Sequence, residues 1–169
     1  GIQSITSYAI ADQMSGGTWA SGNALNTGRS AIAGGTGIQA AGLVCGGSPP
    51  TTGKTEEYDG SSWTESGDLG TARYYNCTVG SQTAALTSGG YPETANTETY
   101  NGSSWTETGN LGTARYGMGG AGSTTAAIMA GGDTPSRALA ETFDGSSWTE
   151  VGDLNNARTY MGYAGQGTQ

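Results

Sequence analysis

Apolar positions in this chain come in short runs that end on two glycines: "AAGLVCGG" (Ala40 to Gly47), "TAALTSGG" (Thr83 to Gly90) and "TAAIMAGG" (Thr125 to Gly132). A short apolar run closed by turn residues reads as a buried strand. After each comes a polar loop of variable wording, then "TETY" or its like, then Asp-Gly or Asn-Gly, then "SSWTE". Asp59-Gly60, Asn101-Gly102 and Asp144-Gly145 predict tight hairpins with both central residues at positive φ. "GDL" or "GNL" leads on to an Arg and a glycine-rich stretch, such as "ARYGMGGAG" (Ala114 to Gly122), read as a fourth strand. No stretch keeps apolar residues three and four apart, so no helix longer than two turns is expected.

This four-strand sentence recurs. "YDGSSWTESGDLGTAR" (Tyr58 to Arg73) returns as "YNGSSWTETGNLGTAR" (Tyr100 to Arg115) and "FDGSSWTEVGDLNNAR" (Phe143 to Arg158), with a divergent first copy, "MSGGTWASGNALNTGR". The markers are Trp19, Trp63, Trp105 and Trp148, at intervals of 44, 42 and 43 residues, each with a Leu six and an Arg ten positions on: Arg29, Arg73, Arg115 and Arg158. About four repeats follow, near 1–39, 40–82, 83–124 and 125–169. Antiparallel four-stranded units of this length, each burying its faces against its neighbours, predict an all-β fold, a β-propeller of four-stranded blades. Residues 1–169 are read as one propeller domain or as an excerpt of a longer one. The last copy stops where the next first strand would begin. The open edge is expected to be covered by residues near Ile2 to Ile10 or by a neighbouring subunit.

The double glycine after an apolar strand, the Tyr, the Trp five residues on and the glycine-rich fourth strand resemble kelch repeats over about residues 14–169. The wording "YDGSSWTE…GDL…AR" is similar to repeat arrays in marine bacteriophage genomes. That resemblance implies a virion appendage or tail component, located on the particle surface or outside cells. Its implied partners are other virion subunits, copies of itself, or a host surface glycan or protein. A secreted bacterial lectin or adhesin holding glycans through propeller loops is the alternative.

Composition changes the picture in two ways. Leu, Ile, Val and Phe make only 17 of 169 residues, which ordinarily signals disorder. Four Trp and nine Tyr at recurring spacing supply large buried area instead. The formal charge of −8, with a single Lys, argues against nucleic acid as partner. The longest apolar run is too short for a membrane-spanning helix, so no membrane insertion is expected.

Candidate chemistry is sparse. Without histidine, Ser-His-Asp and Cys-His nucleophiles and histidine metal sites are excluded, and no metal or cofactor is expected. Glu65, Glu107 and Glu150 recur with the repeat, as do Asp68, Asn110 and Asp153, which suits solvation of blade edges better than a carboxylate pair acting once. The chain is therefore expected not to be an enzyme. The four Trp read as inter-blade core, with sugar stacking as the other possibility. The four Arg read as structural ties to backbone carbonyls, with an anion site as the other possibility. Cys45 and Cys77 read as two buried thiols or as a disulfide. Candidates for ligand contact are the non-repeated aromatics Tyr91, Tyr75, Tyr160 and Tyr163. The variable loops Ser48 to Thr55, Tyr91 to Asn96 and Asp133 to Arg137 carry contact specificity.

Overall fold

The computed structural model describes residues 23–32, 34–133 and 137–162. These form twelve antiparallel strands and no helix. The first sheet holds β1 (Gly34–Ile38), β2 (Ala41–Cys45), β3 (Thr55–Tyr58) and β4 (Trp63–Ser66). The second holds β5 (Cys77–Ser81), β6 (Ala84–Ser88), β7 (Thr97–Tyr100) and β8 (Trp105–Glu107). The third holds β9 (Gly119–Gly122), β10 (Ala127–Ala130), β11 (Ala140–Phe143) and β12 (Trp148–Val151), and in all three each strand pairs with the next.

The described residues thus make three four-stranded sheets, not four. Trp19 and Tyr163 lie outside them. The phase of the repeat also differs from expectation. The glycine-rich strands after Arg29, Arg73 and Arg115 do not close their own copies; they open the next sheet, so that β1 pairs with β2, β5 with β6 and β9 with β10. β1 lies against β5, and β5 against β9. This requires close backbone approach: a Cβ on Gly34 would fall 2.2 Å from Asn76 Nδ2 and 2.7 Å from Thr78 Oγ1.

Packing between sheets is where the sparse aliphatics go. Cys77, Val79, Leu86, Leu111, Met118 and Met129 form one buried cluster with Phe143 between the second and third sheets. Leu43, Ala85 and Tyr100 form another between the first and second. Both cysteines are free and buried, so the disulfide alternative does not hold. Burial pushes both thiols above their ordinary range.

The Asp-Gly hairpins are not the two-residue turns expected. Tyr58 pairs with Trp63 and Phe143 with Trp148, which leaves four-residue loops. Within them only the glycines take positive φ: Gly60 94°, Gly102 93° and Gly145 101°. The preceding side chain does the remaining work. Asp144 Oδ1 accepts from the backbone N–H groups of Ser146 and Ser147, both at 2.8 Å, and Asn101 Oδ1 does the same for Ser103 and Ser104, both at 3.0 Å.

Those bonds hold the Asp144 carboxyl down to about 2, below its ordinary 3.8. The stability it contributes is therefore complete above the unfolded pKa near 3.8 and is lost as pH falls through about 2. Asp144→Asn is expected to abolish this acid sensitivity with little change at neutral pH, because Asn101 already fills the same role. Comparing unfolding of the two proteins between pH 2 and 6 checks this.

Candidate functional site

The repeated Arg has a partner the sequence reading missed. On each third strand of a sheet, the second residue is a buried Glu: Glu56, Glu98 and Glu141. Arg29 pairs with Glu56, Arg73 with Glu98 at 2.9 Å, and Arg115 with Glu141, with all six side chains at most 5% exposed. The second carboxylate oxygen accepts a backbone N–H from Asn26, Gly70 or Gly112 at 2.7–2.8 Å. Carbonyl acceptors are present too, such as Gly46 O for Arg29 Nε at 2.8 Å, but carbonyls are not the principal partners expected. A buried guanidinium needs a counter-charge, which carbonyl dipoles alone do not supply. The Glu lies seven residues before each Trp, a periodicity visible in the sequence.

The double glycines sit over this pair and stitch sheet to sheet. The second glycine donates to the carbonyl of the following copy's Arg: Gly47 to Arg73 and Gly90 to Arg115 at 3.0 Å, and Gly132 to Arg158 at 2.8 Å. The Trp spans sheets as well. Trp63, Trp105 and Trp148 are partly buried, each ring about 5 Å from the aromatic it faces across its hairpin. Trp105 Nε1 donates to Thr55 of the preceding sheet at 2.9 Å, and Trp148 Nε1 to Thr97 at 3.0 Å. Glu65, Glu107 and Glu150 are exposed.

With the frame so assigned, the non-repeated aromatics stand out. The residue two after each Arg has positive φ: Ala31 53°, Tyr75 57°, Gly117 65° and Tyr160 51°. Their backbones form a chain in which Tyr75 N–H donates to Ala31 O at 3.3 Å, Gly117 N–H to Tyr75 O at 2.9 Å and Tyr160 N–H to Gly117 O at 2.7 Å. Holding a tyrosine in the left-handed region costs on the order of 1–3 kcal/mol, a strain typical of functional positions.

The rings these positions carry converge. Tyr75 lies 6.1 Å from Tyr116, stacked, and 5.3 Å from Tyr160, edge on. Tyr91 lies 5.2 Å from Tyr74 and 5.5 Å from Tyr116. The structure therefore brings together Tyr75, Tyr91 and Tyr160, three of the four expected ligand residues. It adds Tyr74 and Tyr116, which directly follow Arg73 and Arg115. Tyr91 and Tyr160 are the most exposed of the five, at 44% and 58%. Partial burial and neighbouring phenols raise the pKa of Tyr74 and Tyr160, so both hydroxyls remain protonated donors at neutral pH.

The variable loops open beside this face. The first residue after each double glycine bridges to the residue after an Arg: Ser48 to Ser30, Tyr91 to Tyr74, and Asp133 to Tyr116. Of the loop Asp133 to Arg137, only the two ends are described. The arrangement offers rings for stacking and hydroxyls for hydrogen bonding. Among the described residues no group of three or more acids and cysteines is placed to hold a metal ion. No protein-family model matches the chain, and a search of curated proteins returns no match.

Proposed function

We propose that this chain is a non-enzymatic structural and binding module of a virus particle, a phage tail or capsid appendage. Its repeated sheets belong to a kelch-like β-propeller, and its tyrosine face and adjoining loops contact a protein or host surface. The observation that carries this reading is the division of the molecule into two kinds of position. The Arg–Glu pairs, double glycines and Trp contacts repeat from sheet to sheet. The five tyrosines recur only in part: Tyr74 and Tyr116 share one position and Tyr75 and Tyr160 the next, while Ser30 and Ala31 stand there in the first copy and Tyr91 lies in a variable loop. The left-handed backbone recurs in every copy, but only some copies place a tyrosine on it, so exposed aromatic area gathers where the copies differ, which fits a surface shaped for a partner. Placement on a particle rests on the resemblance to phage repeat arrays. Immuno-electron microscopy of purified particles carrying a tagged chain tests it: label on the tail or capsid is expected, and label absent from intact particles would overturn it.

A secreted lectin is the second reading, favoured by the same cluster, because partly exposed phenols stack on the apolar faces of sugars. It requires the isolated chain, away from any particle, to bind glycans through Tyr91 and Tyr160.

A further inference from the structure

The loop between β7 and β8 carries the chain's single Asn-Gly pair, Asn101-Gly102, where the loops of the first and third sheets carry Asp59-Gly60 and Asp144-Gly145. Asn101 is exposed, and among the described residues no acceptor takes the Gly102 N–H. With no side chain to shield it, the glycine nitrogen can reach the amide of the preceding residue.

The surroundings of that amide's oxygen favour such a reaction. Asn101 Oδ1 accepts the backbone N–H groups of Ser103 and Ser104, both at 3.0 Å, and their hydroxyls at 3.0 and 3.4 Å. Attack at Cγ develops negative charge on this oxygen, and donors already aimed at it lower the barrier as an oxyanion hole does. The fold holds these donors in place: Ser104 O accepts the Asn101 N–H and Ser103 O the Gly67 N–H, both at 3.2 Å.

The two related loops indicate where the reaction stops. Asp59 Oδ1 accepts the N–H groups of Ser61 and Ser62 at 2.8 and 2.7 Å, and Asp144 Oδ1 those of Ser146 and Ser147 at 2.8 Å. These bonds are shorter than those at Asn101 and hold both carboxyls below their ordinary range. A carboxylate is not an electrophile. Only the neutral acid re-forms the ring, and the loop keeps that form scarce.

We infer that Asn101 is a self-modifying site, at which the folded loop converts Asn101-Gly102 to Asp-Gly and then holds the product. The Gly102 nitrogen attacks Asn101 Cγ, and the new N–Cγ bond closes a five-membered succinimide. The Cγ–Nδ2 bond breaks, and Nδ2 leaves as ammonia with the proton from Gly102. Water then opens the ring. Attack at Cγ, where the donors again face Oδ1, breaks the N–Cγ bond and gives Asp on an unchanged backbone. Attack at the main-chain carbonyl gives isoaspartate, which lengthens the backbone by one carbon and draws Ser103 O away from Gly67. The fold therefore favours Asp. The conversion takes the formal charge one unit below −8 and makes the three loops alike.

The test holds the full chain at neutral pH, native and in guanidinium chloride, beside an Asn101→Asp standard. Its peptides are weighed and probed for isoaspartate over several weeks. The native chain is expected to gain one dalton at the peptide holding Asn101 at least as fast as the unfolded chain, with Asp exceeding isoaspartate. The unfolded chain is expected to give the reverse ratio. Peptides holding Asp59 and Asp144 are expected to stay free of isoaspartate while the chain is native. Asn101→Gln, whose amide would have to close a six-membered ring, is expected to gain no mass at that peptide; a gain there overturns the assignment to Asn101. Slower conversion in the native chain than in the unfolded one overturns the activating role of the loop. Excess isoaspartate in the native chain overturns the product, and a native chain that gains no mass overturns both.

Discussion

Replacing Glu98 with Gln is expected to cost about 3–5 kcal/mol of folding stability, because it leaves a buried guanidinium without its counter-charge. Arg73 is fully buried, and burial already pulls its pKa below the ordinary arginine value while Glu98 draws it back up. Glu98 also accepts the Gly70 N–H, so the substitution disturbs the approach to β5 as well as the ion pair. Glu93→Gln, at an exposed position in the loop after the second double glycine, is the control and is expected to change stability by less than about 0.5 kcal/mol. Urea unfolding of the two variants measures the difference. A Glu98→Gln effect of under about 1 kcal/mol would mean that water reaches the guanidinium and that the pair does not hold the sheets.

Gly89→Ala is expected to cost roughly 3 kcal/mol or more, from left-handed strain together with overpacking. Gly89 has φ 64°, and a Cβ there would lie 2.3 Å from Arg115 O and 2.6 Å from Met118 Cε. The first of these is backbone and cannot turn aside. Arg115 O is also the acceptor for Gly90 N–H, so relieving the clash breaks the link between the second and third sheets. Gly152→Ala supplies the comparison, since nothing lies within 4 Å of its missing Cβ. Equal stabilities for the two variants in the same urea titration would remove the double glycine from any part in joining sheets.

The period, the strands and the lack of helix were legible because Trp, Tyr and paired glycines recur at fixed intervals. Sheet phase was not. A glycine-rich strand such as β9 presents no side-chain pattern to say whether it pairs backward or forward, and only the tertiary approach of β5 decides it. The Arg partners were overlooked because Glu56, Glu98 and Glu141 sit inside the short third-strand segments "TEEY", "TETY" and "AETF", which read as half-exposed. Alternation in a half-exposed strand gave no reason to bury them, although their constant distance from Trp could have. The Asp-Gly loops misled because the dipeptide suggests positive φ at both residues. Here the Asp side chain caps the loop instead, which Asn101 does equally well. Tyr75, Tyr91 and Tyr160 were legible as departures from the repeat. Tyr74 and Tyr116 were hidden by appearing to belong to it.

The claim that the non-repeated tyrosine face is the working surface is tested most directly by binding. The parent chain, Tyr91→Ala and Tyr160→Gly would be compared on whole bacterial cells and on an array of surface polysaccharides, with melting temperatures recorded alongside. Both rings are substantially exposed, and glycine at position 160 suits its positive φ, so the variants should fold. The account predicts binding by the parent and at least a roughly tenfold loss in each variant, as for aromatic anchors elsewhere, with melting temperatures close to the parent's. Binding that survives removal of both rings would contradict it.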